Sequence, residues 1–599
     1  MAPWFRAFVL FLAGCSASMG DGVDASGQDA SGPITDTGTD AATTDAARPP
    51  DCEAVAAARG WSLCGQEASR CSFVFEDAAG CAAVCAAAGL RCAQSYENVE
   101  GSCEADRLRP SLDCRETAHG SDYCVCDADA GALDAGAADA GDAATVDWGE
   151  RKAFPSAFGA AAYVTGGRGG RVVHVTNLRN EGPGSLRAAF DAPSPKTIVF
   201  DVSGTIDLTT TLTIRGNDWT LAGQSAPEPG ISLTGRPVHI SGVRNAIVRY
   251  VRFRPDYDAS GNVDAVNLSN VSELIIDHVS ASWGGDECMS VVGESRDVTI
   301  QRTVFAESKT GCLLGDSNAP ISDNLSLHTS LFYNISHRFP NVNAATRSDI
   351  INTVVHNWNT RLMVVSTAEP SVNEIGNYRQ RGSRSVNVLT ARVHEGNWLD
   401  VGSASNRPGI RVFTSGNVIN DVLEATDDSW LQYRHRFDIA SGAYAGIRQW
   451  DAANRDFQVD RPFPLLGAPI PIQTANDAFA DVARDVGACR TLTGNGDVVV
   501  AWDGIDNGYL AHVRDNTFEA YSFPPVAIVS NPRYRAYQDA IRTTPIETRP
   551  DGYDSDRDGL PDAWEEAVGL DPSDAGDGAL DRNGDGYTNL EDFLNQVDR

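Results

Sequence analysis

Five short apolar segments follow one another in the middle of the chain: IVRYVRF from Ile247, LIIDHVSAS from Leu274, VTIQRTVFA from Val298, LSLHTSLFY from Leu325 and DIINTVVHN from Asp349. Their starts are 27, 24, 27 and 24 residues apart, an interval within the range of solenoid repeats. Each segment is rich in β-branched residues, and Gly, Asn, Ser and Asp separate them where a helical pattern would otherwise stand. Near-continuous apolar strands without intervening helices predict an all-β parallel β-helix, and not a βαβ sheet. TIVFDVSGTIDL from Thr197 and WTLAGQ from Trp219 extend the stack toward the N-terminus. One early helix is predicted around 184–191 (GSLRAAFD), where it would cap the open first coil. A β-sandwich is the competing architecture, because irregular loops can imitate the period.

The flanks differ in kind. Arg6 precedes an apolar run, Ala7 to Leu12, which meets Ala13-Gly14-Cys15. The run is too short to span a bilayer and reads as a signal-peptide core. Leu12-Ala13-Gly14-Cys15 resembles a bacterial lipobox, in which Cys15 is lipidated and becomes the mature N-terminus; an ordinary export signal with an incidental Cys is the alternative. Ser16 after Cys15 favours, by the same resemblance, the outer membrane. The expectation is an exported, outer-membrane lipoprotein at the cell surface, or an extracellular protein. Residues 1–15 form the signal, and 16–51 a disordered linker of Asp, Ala, Gly, Thr and Ser. Residues 52–126 form a small module, 127–147 a second linker, 148–550 the β-helix, and 551–599 a C-terminal module.

Charge sharpens this division. The 599 residues carry 81 acidic and 48 basic side chains, a net −33. By segment, 16–51 holds −6, 52–126 −5, 127–147 −6 and 551–599 −12, leaving about −5 on 148–550. Such a balance excludes nucleic acid as partner, because phosphate binding needs a basic face. Hydrophobic residues at 42% exclude wholesale disorder.

Three stretches carry candidate chemistry: Asn262-Val-Asp264 with Ile276-Asp277-His278, Ser282-Trp-Gly-Gly-Asp286-Glu287, and His337-Arg338-Phe-Pro-Asn341. Stacked coils would bring these loops to one side and set carboxylates beside a cation in a groove. Carboxylates around calcium with a nearby Arg can hold and polarise an acidic sugar; the alternative is solvated loop acids and an Arg338 salt bridge. Only Lys152, Lys196 and Lys309 are lysines, against 45 Arg. A Lys at position 309 in so Arg-biased a chain suggests demand for a compact ammonium group.

From AFPSAFGAAAYVTGGRGG at Ala153, through GPGSLRAAF, IVFDVSGTIDL and RFRP, to IIDHVSASWGGDE and HRFP, the chain resembles the pectate lyases of polysaccharide lyase family 1. The resemblance implies a right-handed parallel β-helix that acts on α-1,4-linked polygalacturonate (pectate) by calcium-assisted β-elimination; a monomer is expected. It implies Asp264 and Asp286 as calcium ligands, with Asn262 beside them, and Arg338 as the base at C5. Lys309, His337 and Asn343 would join Arg338 in binding the substrate. Three positions depart from the family pattern: Asn262 and Ser290 stand where many members carry further acids, and Asn343 where a second cation often follows. Calcium takes six to eight oxygens, so this set is small and the substrate's carboxylates would complete it. A metal-independent pectin lyase and a non-catalytic pectin-binding surface protein are the alternatives. A polygalacturonase is disfavoured, because its Gly-His-Gly and Arg-x-Lys signatures are absent.

The C-terminus carries two calcium-loop patterns. Asp554, Asp556, Asp558, Leu560, Asp562 and Glu565 fit the ligand positions of one EF-hand loop, with Gly559 at its turn. Asp581, Asn583, Asp585, Tyr587, Asn589 and Asp592 fit a second. The pair resembles dockerin-like or thrombospondin type 3 repeats, and implies structural calcium. Ten cysteines lie within 52–126, an even number that predicts a disulfide-rich module of unknown pairing. Cys288 and Cys312 are 24 residues apart, one repeat, and the spacing predicts them stacked and bridged.

Overall fold

The computed structural model divides into two compact units, residues 1–144 and 145–599. In the first, the described residues are Cys85 and four strands between 62 and 127. In the second they run from 151 to 598, apart from 258–261, 317–320, 344, 360–361, 367–368, 383–396, 401–408, 436–456 and 519–531. Cys15, its lipobox and the linker 16–51 lie outside the described residues. The four strands Ser62–Gln66, Arg70–Phe75, Arg91–Glu97 and Asp122–Asp127 form an antiparallel sheet, the last lying between the second and third. Cys64 and Cys85 are each engaged in a disulfide.

The second unit is a right-handed parallel β-solenoid of three sheets with ten, nine and nine strands. Each coil gives one strand to each sheet, and every strand pairs with its equivalents one coil before and after. The apolar segments of the sequence are therefore not single strands. Each turns a corner from the ten-stranded first sheet into the second, as Arg244–Arg249 passes into Val251–Pro255. The corner residue is left-handed every time: Tyr250, His278, Arg302, Thr329 and Asn352 have φ of 57°, 49°, 46°, 47° and 53°. A left-handed L-residue costs about 1–2 kcal/mol, and stacked aliphatic burial offsets it. Val248, Ile276, Ile300, Leu327 and Ile350 stand in one unbroken ladder inside the core.

Register departs from the sequence spacing by one residue in two coils. Leu274 pairs with Val298 and Val298 with Leu325 as the spacing implies, but Ile247 faces Ile275, and Leu325 faces Ser348. In the third sheet the interval is shorter again: Glu287 pairs with Thr310, and Met289 with Cys312. Met289, not Cys288, is thus the neighbour of Cys312. Cys288 and Cys312 are buried free thiols, and the expected bridge between them is absent. The Cys288 thiol donates instead to Ser308 Oγ at 3.0 Å.

The ends and faces of the solenoid are covered unevenly. Helix α1, Leu186–Asp191, is capped by Ser185 and buries Leu186, Ala189 and Phe190 in the first coil's core. Helices α2 (Ala475–Val482), α3 (Gly504–Asp515) and α4 (Pro532–Arg542) pack Val482, Tyr509, Leu510 and Tyr534 on the outer face of the second sheet, at Val304, Leu331 and Tyr333. Residues 153–164 cover part of the first sheet at Ile247 and Ile275. The segment 551–599, expected as a separate module, belongs to the same compact unit: Leu560, Trp564, Leu590 and Phe593 pack with Ala222 and Tyr250.

Asp277 and His278, quoted above among the candidate chemical residues, belong to the scaffold. Asp277 is fully buried, accepting from Arg249 Nε at 2.8 Å and Gln301 Nε2 at 2.7 Å, and pairing with His278 Nδ1 at 2.9 Å. His278 Nε2 reaches Asp485 at 3.3 Å, and Arg249 reaches Asp598 at 2.5 Å. Burial alone would raise the Asp277 carboxyl, but His278 and Arg249 outweigh it and hold it below the usual range. Burial would likewise lower His278, yet Asp277 and Asp485 raise it above its ordinary value.

Two outcomes follow for the scaffold. Asp277→Ala removes one buried partner from both Arg249 and His278, leaving them Asp598 and Asp485, and should cost about 3–5 kcal/mol in denaturant unfolding; a loss below about 1 kcal/mol would contradict the network. Asp277 has a depressed carboxyl, so its contribution is complete above about pH 4 and fades as pH falls toward its folded value. His278 has the opposite sign: its share is complete below about pH 6.5 and fades as pH rises through its folded value. Alkylation after denaturation without reductant should label Cys288 and Cys312, whereas a linked 288–312 peptide would contradict the register.

Candidate active site on the third sheet

The outer face of the third sheet receives no helix among those described, and its strand ends carry the candidate chemistry. Strands Val266–Ser269, Glu287–Val292, Thr310–Leu314 and Asn341–Asn343 are consecutive neighbours there. The chain enters each through a loop, and these loops hold Asp264, Asp286, Lys309 and Arg338 in turn. Backbone bonds fix the loop ends to one another. Asp286 N–H donates to Val263 O at 3.0 Å, Thr310 N–H to Asp286 O at 2.8 Å, and Cys312 N–H to Arg338 O at 2.9 Å. Two glycines are required by this closeness: a Cβ at Gly284 would lie 1.9 Å from Glu287 O, and one at Gly311 2.2 Å from Arg338 O.

The side chains form two ion pairs. Lys309 Nζ stands 3.2 Å from Asp286 Oδ1. Arg338 pairs with the buried carboxylate of Glu287. Asp264 lies between the strands and accepts three donors: Ser290 Oγ at 2.6 Å, Asn267 Nδ2 at 3.1 Å and Glu287 N–H at 3.2 Å. Burial raises its carboxyl above the usual range, although Ser290, Asn267, His239 and Arg338 all pull it down. Arg338 is held in the left-handed region at φ 73° by its own carbonyl bond and by that of His337 to Gly311 N–H at 2.9 Å. Such a conformation costs of order 1–3 kcal/mol. Burial lowers the Arg338 pKa, with Asp286 and Asp264 opposing, and the balance falls below the ordinary arginine value.

The sequence-named residues meet here in part. Asp264, Asp286, Lys309 and Arg338 come together, and His337 joins them through its backbone. Asn262 is exposed on the entering loop. Asn343 ends the strand Asn341–Asn343, its Oδ1 accepting from Ser366 Oγ at 2.5 Å. Ser290, which stands in place of an acid, holds the Asp264 carboxylate. The other lysines serve the scaffold: Lys196 Nζ donates to Ala192 O at 2.6 Å beside α1, and Lys152 lies 3.7 Å over the Phe158 ring. Glu287 stands in one of the candidate stretches, but sequence spacing assigns it no role, because its pairing with Arg338 joins strands two coils apart. Asp264 and Asp286 offer hard oxygen donors on adjacent strands, the chemistry that calcium takes.

No protein-family model matches the chain. It is 28% identical over 456 residues to a probable pectate lyase C of Aspergillus flavus, spanning 74% of this chain and 94% of that protein. The likeness to the probable pectate lyase C of Aspergillus terreus is 29% over 449 residues, again 74% and 94%. Among solved structures, the cedar pollen allergen jun a 1 aligns with a TM-score of 0.40 at 17% identity, covering 55% of this chain and 92% of that one. A pectate lyase of Bacillus sp. N165 in complex with trigalacturonate aligns with a TM-score of 0.38 at 16% identity, covering 55% and 98%. By sequence, then, the chain is similar over about three quarters of its length to fungal proteins named as pectate lyases.

Proposed function

We propose that this protein is a pectate lyase, acting on polygalacturonate by β-elimination at the third-sheet site. One observation carries the reading: Asp264, Asp286, Lys309 and Arg338, spread through four loops, converge at neighbouring strand ends on one face. The sequence likeness to proteins named pectate lyase supports the same activity.

The chemistry starts from a weak acid. The C5 hydrogen of a galacturonate unit lies α to the C6 carboxylate, and its loss builds further negative charge on that carboxylate. Calcium held by Asp264 and Asp286 would supply charge neutralisation there. Lys309 contributes an ammonium group to the same substrate carboxylate, exchanging its contact with Asp286 for one with the sugar. Arg338, in its neutral form, takes the C5 proton; the C5–H electron pair becomes the C4–C5 double bond, and the C4–O bond breaks. The leaving oxygen takes a proton from solvent. Arginine is an unusual base, and the burial that lowers the Arg338 pKa is what makes the role accessible at alkaline pH. Calcium dependence, export through residues 1–15, a lipid anchor at Cys15 and a monomeric state complete the reading.

Arg338→Lys should remove most lyase turnover, read as ultraviolet absorbance of unsaturated products, while leaving the unfolding transition unchanged. Full turnover in that variant would take Arg338 out of the mechanism, and no product from the intact chain would favour a non-catalytic pectin-binding protein. Glu287→Gln tests the ion pair. The Glu287 charge favours the protonated guanidinium, so its removal should move the alkaline rise of activity to lower pH. An unmoved or upward-shifted rise would contradict the pairing.

A further inference from the structure

The two acidic C-terminal loops share one construction. Asp554 accepts from Arg557 N–H at 2.7 Å and Gly559 N–H at 3.0 Å, and Asp581 repeats this with Gly584 at 2.7 Å and Gly586 at 2.9 Å. Asp558 accepts from Leu560 N–H at 2.8 Å, as Asp585 does from Tyr587 N–H at 2.9 Å. The ninth positions close the loops from outside. Asp562 accepts from Ser555 N–H at 2.7 Å, and Asn589 from Arg582 N–H at 3.2 Å. Asp562 belongs to neither of the carboxylate clusters that converge at the first loop.

The loop centres differ. In the first, carboxylate oxygens of Asp554, Asp556 and Asp558 converge within 4.8 Å of one another, and so do those of Asp558, Glu565 and Asp577. Glu565 is 0% exposed, Asp558 5% and Asp577 6%. Both Glu565 oxygens, Asp556 Oδ2, Asp558 Oδ2 and Asp577 Oδ1 are buried with no hydrogen-bond donor. Unpaired buried carboxylates facing one another are among the costliest arrangements a protein can hold. In the second loop a protein donor already fills the centre: Asn583 Nδ2 donates to Asp592 at 2.7 Å and to Asp585 at 3.3 Å.

We propose that Asp554, Asp556, Asp558, Glu565 and Asp577 form a calcium site, in which Asp577, from outside the loop pattern, supplies the carboxylate expected of Asp562. Five carboxylates, mono- or bidentate, match the number and flexibility of oxygen ligands that calcium takes, whereas magnesium keeps several waters. The site also has a structural target. His174, on the outermost strand of the first sheet (Arg171–Val175), lies 3.6 Å from Asp554 Oδ2 and 3.2 Å from Arg557 O. The ion clamps the C-terminal segment beside that edge strand, which would otherwise offer unpaired backbone groups to another chain.

The test is calorimetric titration of the metal-stripped full chain with calcium chloride, without pectate, beside thermal unfolding with and without chelator. Asp577→Asn should weaken the tight site by roughly tenfold or more and abolish the fall in melting temperature that chelator causes in the parent. Glu565→Gln keeps the shape and removes one charge, so it should fold without metal and lose the calcium response even if Asp577→Asn does not fold. Asp585→Asn, in the second loop, should leave binding and melting as in the parent. Parental calcium affinity in both Asp577→Asn and Glu565→Gln would overturn the site, and a chelator-insensitive melting temperature in the parent would overturn the clamp.

Discussion

Parallel hydrogen-bonded stacking of one coil on the next is the constraint on which the rest of this protein depends. Each strand has its partners only in the coils before and after it, so register is handed along the solenoid from ladder to ladder. Two consequences follow at once. The aliphatic row Val248–Ile276–Ile300–Leu327–Ile350 is buried continuously, and the loops entering the third sheet are stacked as well. The site is a product of that stacking. Asp264, Asp286, Lys309 and Arg338 owe their proximity to ladder register and to nothing local in the chain.

A solenoid is stabilised from within, but its corners and faces must also be held. The corners use left-handed residues, and one of them, His278, is tied into the buried network of Asp277, Arg249 and Asp485. A second buried set, Arg254 with Asp503 and Asp506, joins the second sheet to the start of α3, where Asp503 is the N-cap. These charges anchor the covering helices and the C-terminal segment to the coils. The third sheet has no such helical cover among the described residues, and its outward row of His239, Asn267 and Ser290 is polar. Chemistry and scaffold are thus divided by sheet.

Much of the coil structure was legible in the spacing of β-branched runs, because a residue-by-residue ladder needs a steady repeat. Most corners were not, since Tyr250, Arg302 and Thr329 are not residues whose chemistry announces a left-handed turn. One-residue changes in loop length were equally hidden, and they undid the stacking expected for Cys288 and Cys312. At the site, motif residues with unusual chemistry for this chain, such as Lys309, could be picked out. The role of Glu287 could not, because its partner Arg338 is distant in sequence. The calcium-loop pattern placed Asp554, Asp556, Asp558 and Glu565 together, but Asp577 enters from a segment the pattern does not cover, and Asp562 is taken up by Ser555.

The central claim is that the converging carboxylates and cations of the third sheet eliminate across C4 and C5 of galacturonate. Mass analysis of the fragments released from polygalacturonate by the intact chain tests it most directly. Elimination adds no water, so the account predicts new non-reducing ends that are one water lighter than saturated ones. Fragments with only saturated ends would mean hydrolysis, and would contradict the account.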